Sequence, residues 1–203
     1  MKKYAVLHEP GDIVTLAGTR FVVLDVERRG SLPDSLFLLA LESVGASEFG
    51  SSNNYAESDL KKAVDKWLED MGKRGLDNAK LIPREIDLTT LDGSGCYGKL
   101  SVKAAPLTLD EAREYADIIP NAERWCWLAT GWSGPSKSDG DLALYVDSSG
   151  DWDYNGCSSS YGIRPALKAP SILFEDSEAG LDLSKIPTDD LLQEIHRRLA
   201  EKA

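Results

Sequence analysis

The stretch DWDYNG contains the residue types that most directly suggest a metal site. Its polar positions match the first half of an EF-hand calcium loop, D-x-[DN]-x-[DN]-G, and they are Asp151, Asp153, Asn155 and Gly156. Such a loop needs a bidentate Glu at its twelfth position, where this chain has Gly162. Because that ligand is missing, we expect a β-strand with outward-facing acids and no metal or other cofactor. A calcium site of another kind at Asp151 and Asp153 stays open.

Residues suited to covalent or acid–base catalysis are scarce. His8 and His196 lie near opposite ends of the chain, so a Ser-His-Asp or Cys-His arrangement would have to recruit one of them. Carboxylates abound, but no spacing selects a pair for glycoside cleavage, and neither a P-loop nor a G-x-G-x-x-G motif occurs. Cys96, Cys126 and Cys157 form no CxxC pair and are predicted to be free, buried thiols. We therefore predict that the protein is not an enzyme and has no catalytic residues.

The tryptophans form the most informative pattern in the chain. Three of the five lie in WCWLATGWSG, residues 125–134, and a fourth follows in DWDYNG. Alternate residues of a strand face opposite sides. Trp125 and Trp127 therefore share a face, which we assign to the core, while Cys126 points away from them.

The other aromatic and small polar residues of this region are predicted to form a binding surface. Large rings lose little conformational entropy when they are ordered, and Ser and Asn adapt their hydrogen bonds to a ligand. The predicted ligand-binding residues are Trp132, Lys137, Trp152, Tyr154, Asn155, Ser158, Ser160 and Tyr161. The alternative is that Trp152 and Tyr154 only cover the hydrophobic interior.

The elements that must position these residues are mostly strands. DIVTLAGTRFVVLDVE predicts two strands around a Gly18-Thr19 turn, and SLFLLALE predicts a third. LIPREIDLTTLDGSGCYG predicts a short extended segment and a glycine-rich loop. Residues 125–167 predict further strands and turns, including a hairpin at Ser148-Ser149-Gly150.

Two helices interrupt the strands. The first has Ser58 as its N-cap, and its apolar stripe is Leu60, Val64, Trp67, Leu68 and Met71. The second begins with a capping box formed by Thr108 and Glu111 and continues to Ile119, where Pro120 ends it.

Composition limits the classes of partner. The net charge of −11, from 34 acidic and 23 basic residues, disfavours general binding to nucleic acid. The longest apolar run, residues 36–41, is far shorter than the ~20 residues needed to span a bilayer, so no membrane association is expected. We also expect no secretory signal, because Glu9 and Pro10 interrupt the basic start of MKKYAVLHEPGD before an apolar region forms. We therefore expect a cytoplasmic protein or a component of a phage particle.

The composition changes after Pro170, which divides the chain into a domain, residues 1–170, and a tail. Residues 171–186 read as an acidic connector and residues 187–203 as an amphipathic helix with an apolar face of Leu191, Leu192, Ile195 and Leu199. A helix of this length is unstable alone in water. We expect it to dock on the domain, on a second copy of the chain or on a partner, so that homo-oligomerisation through this helix is one outcome.

The order of several segments resembles a bacterial and phage domain family of unknown function. These segments are GDIVTLAGTRFVVLDV, the helix bearing KWLED, LIPREIDLTTLDG, WCWLATGWS, a D-S-S-G hairpin and the closing YGIRPALKA. The family typically ends in G-V-R-P-A-L and carries a W-W-L-R-S-P-like segment earlier. It is similar to the C-type-lectin-like proteins that include the variable, target-binding products of diversity-generating retroelements. The resemblance covers roughly residues 10–168.

The resemblance implies an α+β, C-type-lectin-like fold with two helices, a small antiparallel sheet and a long irregular ligand-bearing region, followed here by a C-terminal helical appendage. It assigns an architectural role to Gly162, Ile163, Arg164 and Pro165, with Arg164 pairing a buried carboxylate or carbonyl. The chain departs from the family at residues 129–131, which replace R-S-P. It also lacks the E-P-N and W-N-D motifs of sugar-binding C-type lectins.

Three functions follow from these patterns. The leading one is a non-catalytic module that presents an aromatic, Ser- and Asp-rich surface to a protein, with a glycan as the second choice of ligand. The runner-up is a phage or mobile-element accessory protein that binds and inhibits a host protein. The third is an enzyme of the formylglycine-generating type, a class that shares the implied fold and depends on reactive cysteines or a ligated metal.

Overall fold

A computed structural model describes residues 8–29 and 32–174, together with the isolated positions Thr188 and Leu192. Within these residues the fold is α+β, with strands mostly in antiparallel sheets and two α-helices. The strands are β1 (Ile13–Leu16), β2 (Thr19–Arg29), β3 (Leu32–Ala40), β4 (Ala46–Glu48), β5 (Arg84–Asp87), β6 (Lys99–Val102), β7 (Ala104–Ala105), β8 (Cys126–Gly131), β9 (Leu142–Val146), β10 (Trp152–Gly156), β11 (Ser160–Gly162) and β12 (Ala166–Pro170). The helices are α1 (Asp59–Lys73) and α2 (Leu109–Glu114). Neither described helix is long and apolar enough to cross a membrane.

The first sheet has the strand order β1-β2-β3-β12-β7, and all its pairings are antiparallel. The β1–β2 hairpin turns at Ala17-Gly18, one residue earlier than predicted. Both residues have positive φ, 45° and 76°, as a two-residue type I′ turn requires. Glycine adopts this conformation without strain, which accounts for Gly18 in the second position.

The second sheet carries most of the predicted site residues and has the order β10-β9-β8-β11-β4. Its pairings are antiparallel except for β11 with β8, which is parallel at Gly162 and Cys126. The predicted hairpin at residues 148–150 is confirmed as the connection between β9 and β10. The glycine-rich loop predicted after LIPREID returns as β6, which pairs with β5 in a small third sheet.

The two helix starts are confirmed. The Ser58 hydroxyl accepts a hydrogen bond from the Lys61 N–H at the start of α1, and Thr108 and Glu111 form the capping box of α2. Helix α2 ends at Glu114, five residues earlier than the predicted end at Ile119, and residues 115–118 form turns instead. Tyr115 leaves the helical conformation, with φ −105° and ψ 15°, and its carbonyl accepts a hydrogen bond from the Ile118 N–H in the following turn.

Two hydrophobic clusters cover the two larger sheets on both faces. The first cluster packs one face of each sheet against α1, and it includes Phe21, Leu38, Val64, Met71 and Trp127. The second packs the opposite faces against α2, and it includes Val22, Leu39, Ala112, Leu128 and Leu144. Successive strand residues such as Trp127 and Leu128 therefore enter different clusters. As a result all six residues of β8 are buried.

The closing GIRPAL segment joins the two larger sheets, since β11 belongs to the second and β12 to the first. The Ile163 N–H donates to the Gly45 carbonyl at 3.0 Å, and the Arg164 Nε donates to the Ala40 carbonyl at 2.8 Å. The Ala40 N–H donates in turn to the Pro165 carbonyl at 2.8 Å. Of the two partners expected for Arg164, the structure therefore shows a carbonyl.

The predicted connector and terminal helix fall almost entirely outside the described residues. Ser171–Phe174 form a short 3-10 turn, and the Phe174 ring is buried with its centroid 5.8 Å from that of His8. Thr188 and Leu192 are helical positions, and both are exposed. Leu191, Ile195 and Leu199 of the predicted apolar face lie outside the residues that the structure describes. The oligomerisation expected through this face therefore stays a prediction.

Candidate binding surface

Strand β10 is the edge strand of the second sheet and exposes four of its five residues. The side chains of Trp152 and Tyr154 are 42% and 44% exposed. They lie two residues apart and therefore point to the same face of the sheet. An edge strand leaves alternate main-chain groups available for pairing with another chain. The prediction that these two aromatic residues lie on the surface is confirmed.

Two neighbouring side chains hold these exposed rings in place. The Trp132 ring lies against the Tyr154 ring, with centroids 4.0 Å apart and planes tilted by 43°. The guanidinium carbon of Arg113 lies 5.4 Å from the centroid of the Trp152 ring, within the range of a cation–π contact. Trp132 is half-buried against the second hydrophobic cluster. Trp132 therefore holds the Tyr154 ring in place more than it adds exposed area of its own.

A second aromatic group lies on the opposite face of the second sheet. Trp125 stacks on Tyr145, with centroids 5.2 Å apart and planes within 10° of parallel, and its ring edge meets Tyr161 at 5.5 Å. Trp127 meets the same Tyr161 ring at 4.6 Å. The prediction that Trp125 and Trp127 share a face is therefore confirmed. Cys126 lies on the other face, beside α2.

The assignment of Trp125 to the core is wrong, because its side chain is 44% exposed. Trp125 lies just before β8, at the margin of the hydrophobic cluster that packs on this face of the sheet. Tyr145 therefore shields one side of its indole, and the other side meets solvent. The assignment of Trp127 is confirmed: it is 1% exposed and its Nε1 donates to the Ser47 carbonyl at 3.0 Å.

The remaining predicted residues divide between two places. Asn155 donates from Nδ2 to the Tyr161 hydroxyl at 2.5 Å, which joins β10 to β11, and Ser158 and Ser160 are exposed close to this contact in the sequence. Lys137 instead pairs with Asp92 at 2.6 Å. The hydrogen bond from Lys137 is the main cause that lowers the pKa of the Asp92 carboxyl. Lys137 is therefore engaged by the neighbouring loop.

The acids of the aromatic region have local partners. The Asp147 carboxylate accepts hydrogen bonds from Ser149 and from the Asp151 N–H, and the bond from Ser149 is the main cause that lowers its pKa. Asp153 accepts a 3.3 Å hydrogen bond from the Tyr145 hydroxyl. Burial and the charge of Asp153 raise the pKa of Tyr145 to about 12.

Among the described residues no group of three or more His, Cys, Asp or Glu side chains could hold a metal ion.

Two of the three cysteines, Cys126 and Cys157, are poorly suited to nucleophilic chemistry. Burial raises the pKa of the Cys126 thiol to about 11, and burial with the nearby Asp141 charge raises that of Cys157 to about 12. Both thiols are protonated at neutral pH, and the thiolate is the reactive form. The prediction that all three cysteines are buried is wrong for Cys96, which is exposed in the loop before β6. All three are free.

Sequence reasoning missed three contributors to the aromatic contacts on the two faces of this sheet: the buried ring of Tyr145, Arg113 and the exposed ring of Trp125. The signal for Tyr145 was available in the sequence, because it sits in ALYVD directly before the predicted hairpin that leads to Trp152. Arg113 and Trp152 are far apart in the chain, and only the packing of α2 against the second sheet brings them together.

Together these features define an α+β protein whose second sheet ends in an exposed, aromatic edge strand. Comparisons of the chain with protein-family models, with curated proteins and with solved structures find no match. The interpretation of the surface therefore depends on its own geometry.

Proposed function

We propose that the protein is a non-catalytic binding module that presents the β10 edge of its second sheet to a protein partner. The observation that carries this proposal is the pair Trp152 and Tyr154, two large rings that are each more than 40% exposed on one face of an edge strand. Exposed Trp and Tyr held in fixed positions are the side chains that most often dominate binding energy in protein interfaces. Arg113 and Trp132 supply that fixation.

The chemistry around the rings favours a partner segment that is extended and basic. Asp151 and Asp153 flank Trp152 in the sequence and are exposed, with the Asp153 side chain on the opposite face of β10, and residues 138–163 contain five Asp and no Lys or Arg. Alternate side chains of an extended partner segment would reach the two faces of β10, so its basic residues would pair with these carboxylates while its other residues contact the rings. An extended partner segment could also pair with the open main-chain groups of β10, as in β-strand addition.

We also propose that the fold is C-type-lectin-like. The α+β architecture with two helices and antiparallel sheets supports the proposal, as does the position of the final strand β12 next to β3 in the sheet formed by the N-terminal strands. The segment between α2 and β12 corresponds in position to the long irregular ligand-bearing region that the family resemblance implies before the final strand. In this chain the segment forms strands β8 to β11.

A selection experiment tests the proposed function. The full-length protein is immobilised and challenged with a displayed peptide library and, in parallel, with a glycan array. We expect enrichment of peptides rich in Lys and Arg, and loss of that enrichment in the double variant Trp152→Ala/Tyr154→Ala. The matched control is Ile13→Ala, which removes a 49% exposed apolar side chain from β1, an edge strand of the first sheet.

Three outcomes would contradict the proposal. Binding to glycans without binding to peptides would contradict a protein partner. Equal enrichment by the double variant and the wild type would exclude the β10 surface. Loss of enrichment in Ile13→Ala to the same extent as in the double variant would show that any exposed apolar side chain contributes.

A further inference from the structure

A cavity of about 220 Å³ lies between the second sheet and the segment that contains α2 and the turns after it. Its walls are mostly apolar, and they include Leu39, Leu107, Ala112, Ile119, Leu128 and Val146. Trp152, Asn121 and Ser149 also line it and are exposed, so they mark its opening to solvent. A cavity of ~150 Å³ with similar walls holds a benzene molecule. This cavity has room for one ring and a short side chain.

Arg164 lines the same cavity and is only 6% exposed. Its Nε donates to the Ala40 carbonyl, but its Nη2 is buried and has no hydrogen-bond partner in the structure. Arg164 forms no ion pair with an Asp or Glu among the described residues, whereas arginines such as Arg20, Arg28 and Arg84 do. Buried charges in proteins are normally paired, because removing a lone charge from water is costly.

The cavity wall contains no negative charge that could neutralise this arginine. Arg164 is the only charged residue in the described lining, since the Cys126 thiol beside it has a pKa of about 11 and is neutral. Burial lowers the pKa of Arg164, which reflects the free-energy cost of keeping a cation there. An anion in the cavity would remove that cost. The guanidinium group binds a planar carboxylate with particular strength, because it can donate two parallel hydrogen bonds.

We propose that this cavity binds a small organic acid whose carboxylate pairs with Arg164 and whose apolar body packs between α2 and β8. The size of the cavity fits an aromatic or short aliphatic acid. The indole of Trp152 lies at the opening, where it covers the body of the ligand. This site shares Trp152 with the proposed protein-binding surface, but it does not depend on a protein partner, because Arg164 and the apolar walls lie inside the domain.

Isothermal calorimetry on the full chain tests the proposal with a matched pair of probes. The probes are 3-phenylpropionate and its neutral analogue 3-phenylpropanamide, which have nearly the same shape. We expect the acid to bind at least about tenfold more tightly than the amide at neutral pH. The preference should fall as salt rises, because the pair is electrostatic. The variant Arg164→Gln should reduce the preference to less than about twofold.

A second variant keeps the test valid if Arg164→Gln does not fold. Ala116 is exposed and lines the cavity, so Ala116→Trp should obstruct the opening without disturbing the core. The matched control is Ala79→Trp, at an exposed position that is not part of the cavity lining. We expect Ala116→Trp to abolish binding of 3-phenylpropionate and Ala79→Trp to leave it unchanged.

The proposal is overturned by any of three results. Equal affinity of the wild type for the acid and the amide would exclude recognition by Arg164. Unchanged binding in Ala116→Trp would place the probe elsewhere. Absence of a heat of binding and of any thermal stabilisation for 3-phenylpropionate, phenylacetate and hexanoate at about 10 mM would exclude an acid site altogether, because a ligand of the native state must stabilise it.

Discussion

Gly162 and Cys126 face each other across the parallel pairing of β11 with β8, and a Cβ atom on Gly162 would lie 2.8 Å from the Cys126 sulfur. It would also lie 2.8 Å from the Ser43 hydroxyl and 3.0 Å from the Arg124 side chain. Gly162, the first residue of the GIRPAL segment, is therefore needed because a larger side chain would not fit there, and not because its backbone adopts a positive φ. This close approach lets the segment leave the second sheet and enter the first.

The first prediction is that Gly162→Ala lowers the free energy of unfolding by about 1–3 kcal/mol, the usual cost of overpacking. The matched control is Gly156→Ala in β10, where a Cβ would meet its nearest neighbour, the Ser158 hydroxyl, at 3.9 Å. The control should change stability by less than about 0.5 kcal/mol. Urea denaturation of both variants measures the difference, and equal stabilities would contradict the steric explanation.

The second prediction concerns the division of the tryptophans between core and surface. Trp127→Ala should lower the free energy of unfolding by about 3–5 kcal/mol, because it empties a buried site packed against Phe49 and Tyr161. Trp152→Ala should change the melting temperature much less, since its side chain is 42% exposed. Differential scanning calorimetry of the two variants makes the comparison. Similar destabilisation by both would show that Trp152 only covers the hydrophobic interior.

The third prediction concerns a buried amide that joins distant loops. Asn53 donates from Nδ2 to the carbonyls of Ser133 at 2.9 Å and Leu142 at 3.0 Å, and accepts from the Tyr97 hydroxyl at 2.6 Å. Asn53→Asp keeps the shape but replaces the donor by an acceptor, so we expect a loss of about 2–3 kcal/mol of stability.

Its neighbour provides the control. The Asn54 side chain only accepts a hydrogen bond, from the Ala56 N–H, and Asn54→Asp preserves that acceptor. The control variant should therefore remain within about 0.5 kcal/mol of the wild type in urea denaturation. If Asn53→Asp is as stable as Asn54→Asp, the two carbonyl contacts contribute nothing to the fold.

The fourth prediction is a pH dependence that arises from His8. Burial lowers the pKa of His8, and the nearby Asp12 charge only partly opposes this effect. As pH falls below the unfolded value of about 6.5, the unfolded chain takes up a proton before the folded chain does, so stability decreases until the folded pKa is passed. The free energy of unfolding should therefore fall as pH drops below the unfolded value of about 6.5.

The comparison of wild type with His8→Phe isolates the contribution of His8 and its neighbour Asp12, because the other carboxylates are unchanged. The variant keeps an aromatic ring next to Phe174 and should lose part of the pH dependence in chemical denaturation. His196→Gln should retain it. An identical pH profile for wild type and His8→Phe would assign the effect to other groups.

Local patterns were sufficient to predict most of the secondary structure. The hydrophobic alternation predicted the first three strands and the β9–β10 hairpin, and side-chain capping predicted the starts at Ser58 and Thr108. The end of α2 was not predicted, because the apolar period continues to Ile119 while the backbone turns at Tyr115. The spacing of apolar residues indicates which face of a segment is buried, but it does not indicate where the helix ends.

The site could be predicted only in part, because its geometry depends on contacts between residues far apart in the chain. Arg164 and its carbonyl partner Ala40 are separated by 124 positions, so the cavity around this arginine has no local signal. The alternation of side chains along the strand placed Trp125 correctly on the same face as Trp127. It could not show that the hydrophobic cluster on this face buries Trp127 and leaves Trp125 exposed. The parallel pairing of β11 with β8 was likewise invisible in the sequence.

The measurement that tests the proposed function most directly is the dissociation constant of a selected peptide partner for three proteins. These are the wild type, the β10 variant Trp152→Ala/Tyr154→Ala and the control Ile13→Ala, each measured by calorimetry on the folded full-length chain. We predict a loss of at least about 2 kcal/mol, roughly 30-fold in affinity, for the β10 variant and no change for the control. A dissociation constant for the β10 variant within about twofold of the wild type would contradict the proposal that this aromatic edge strand is the binding surface.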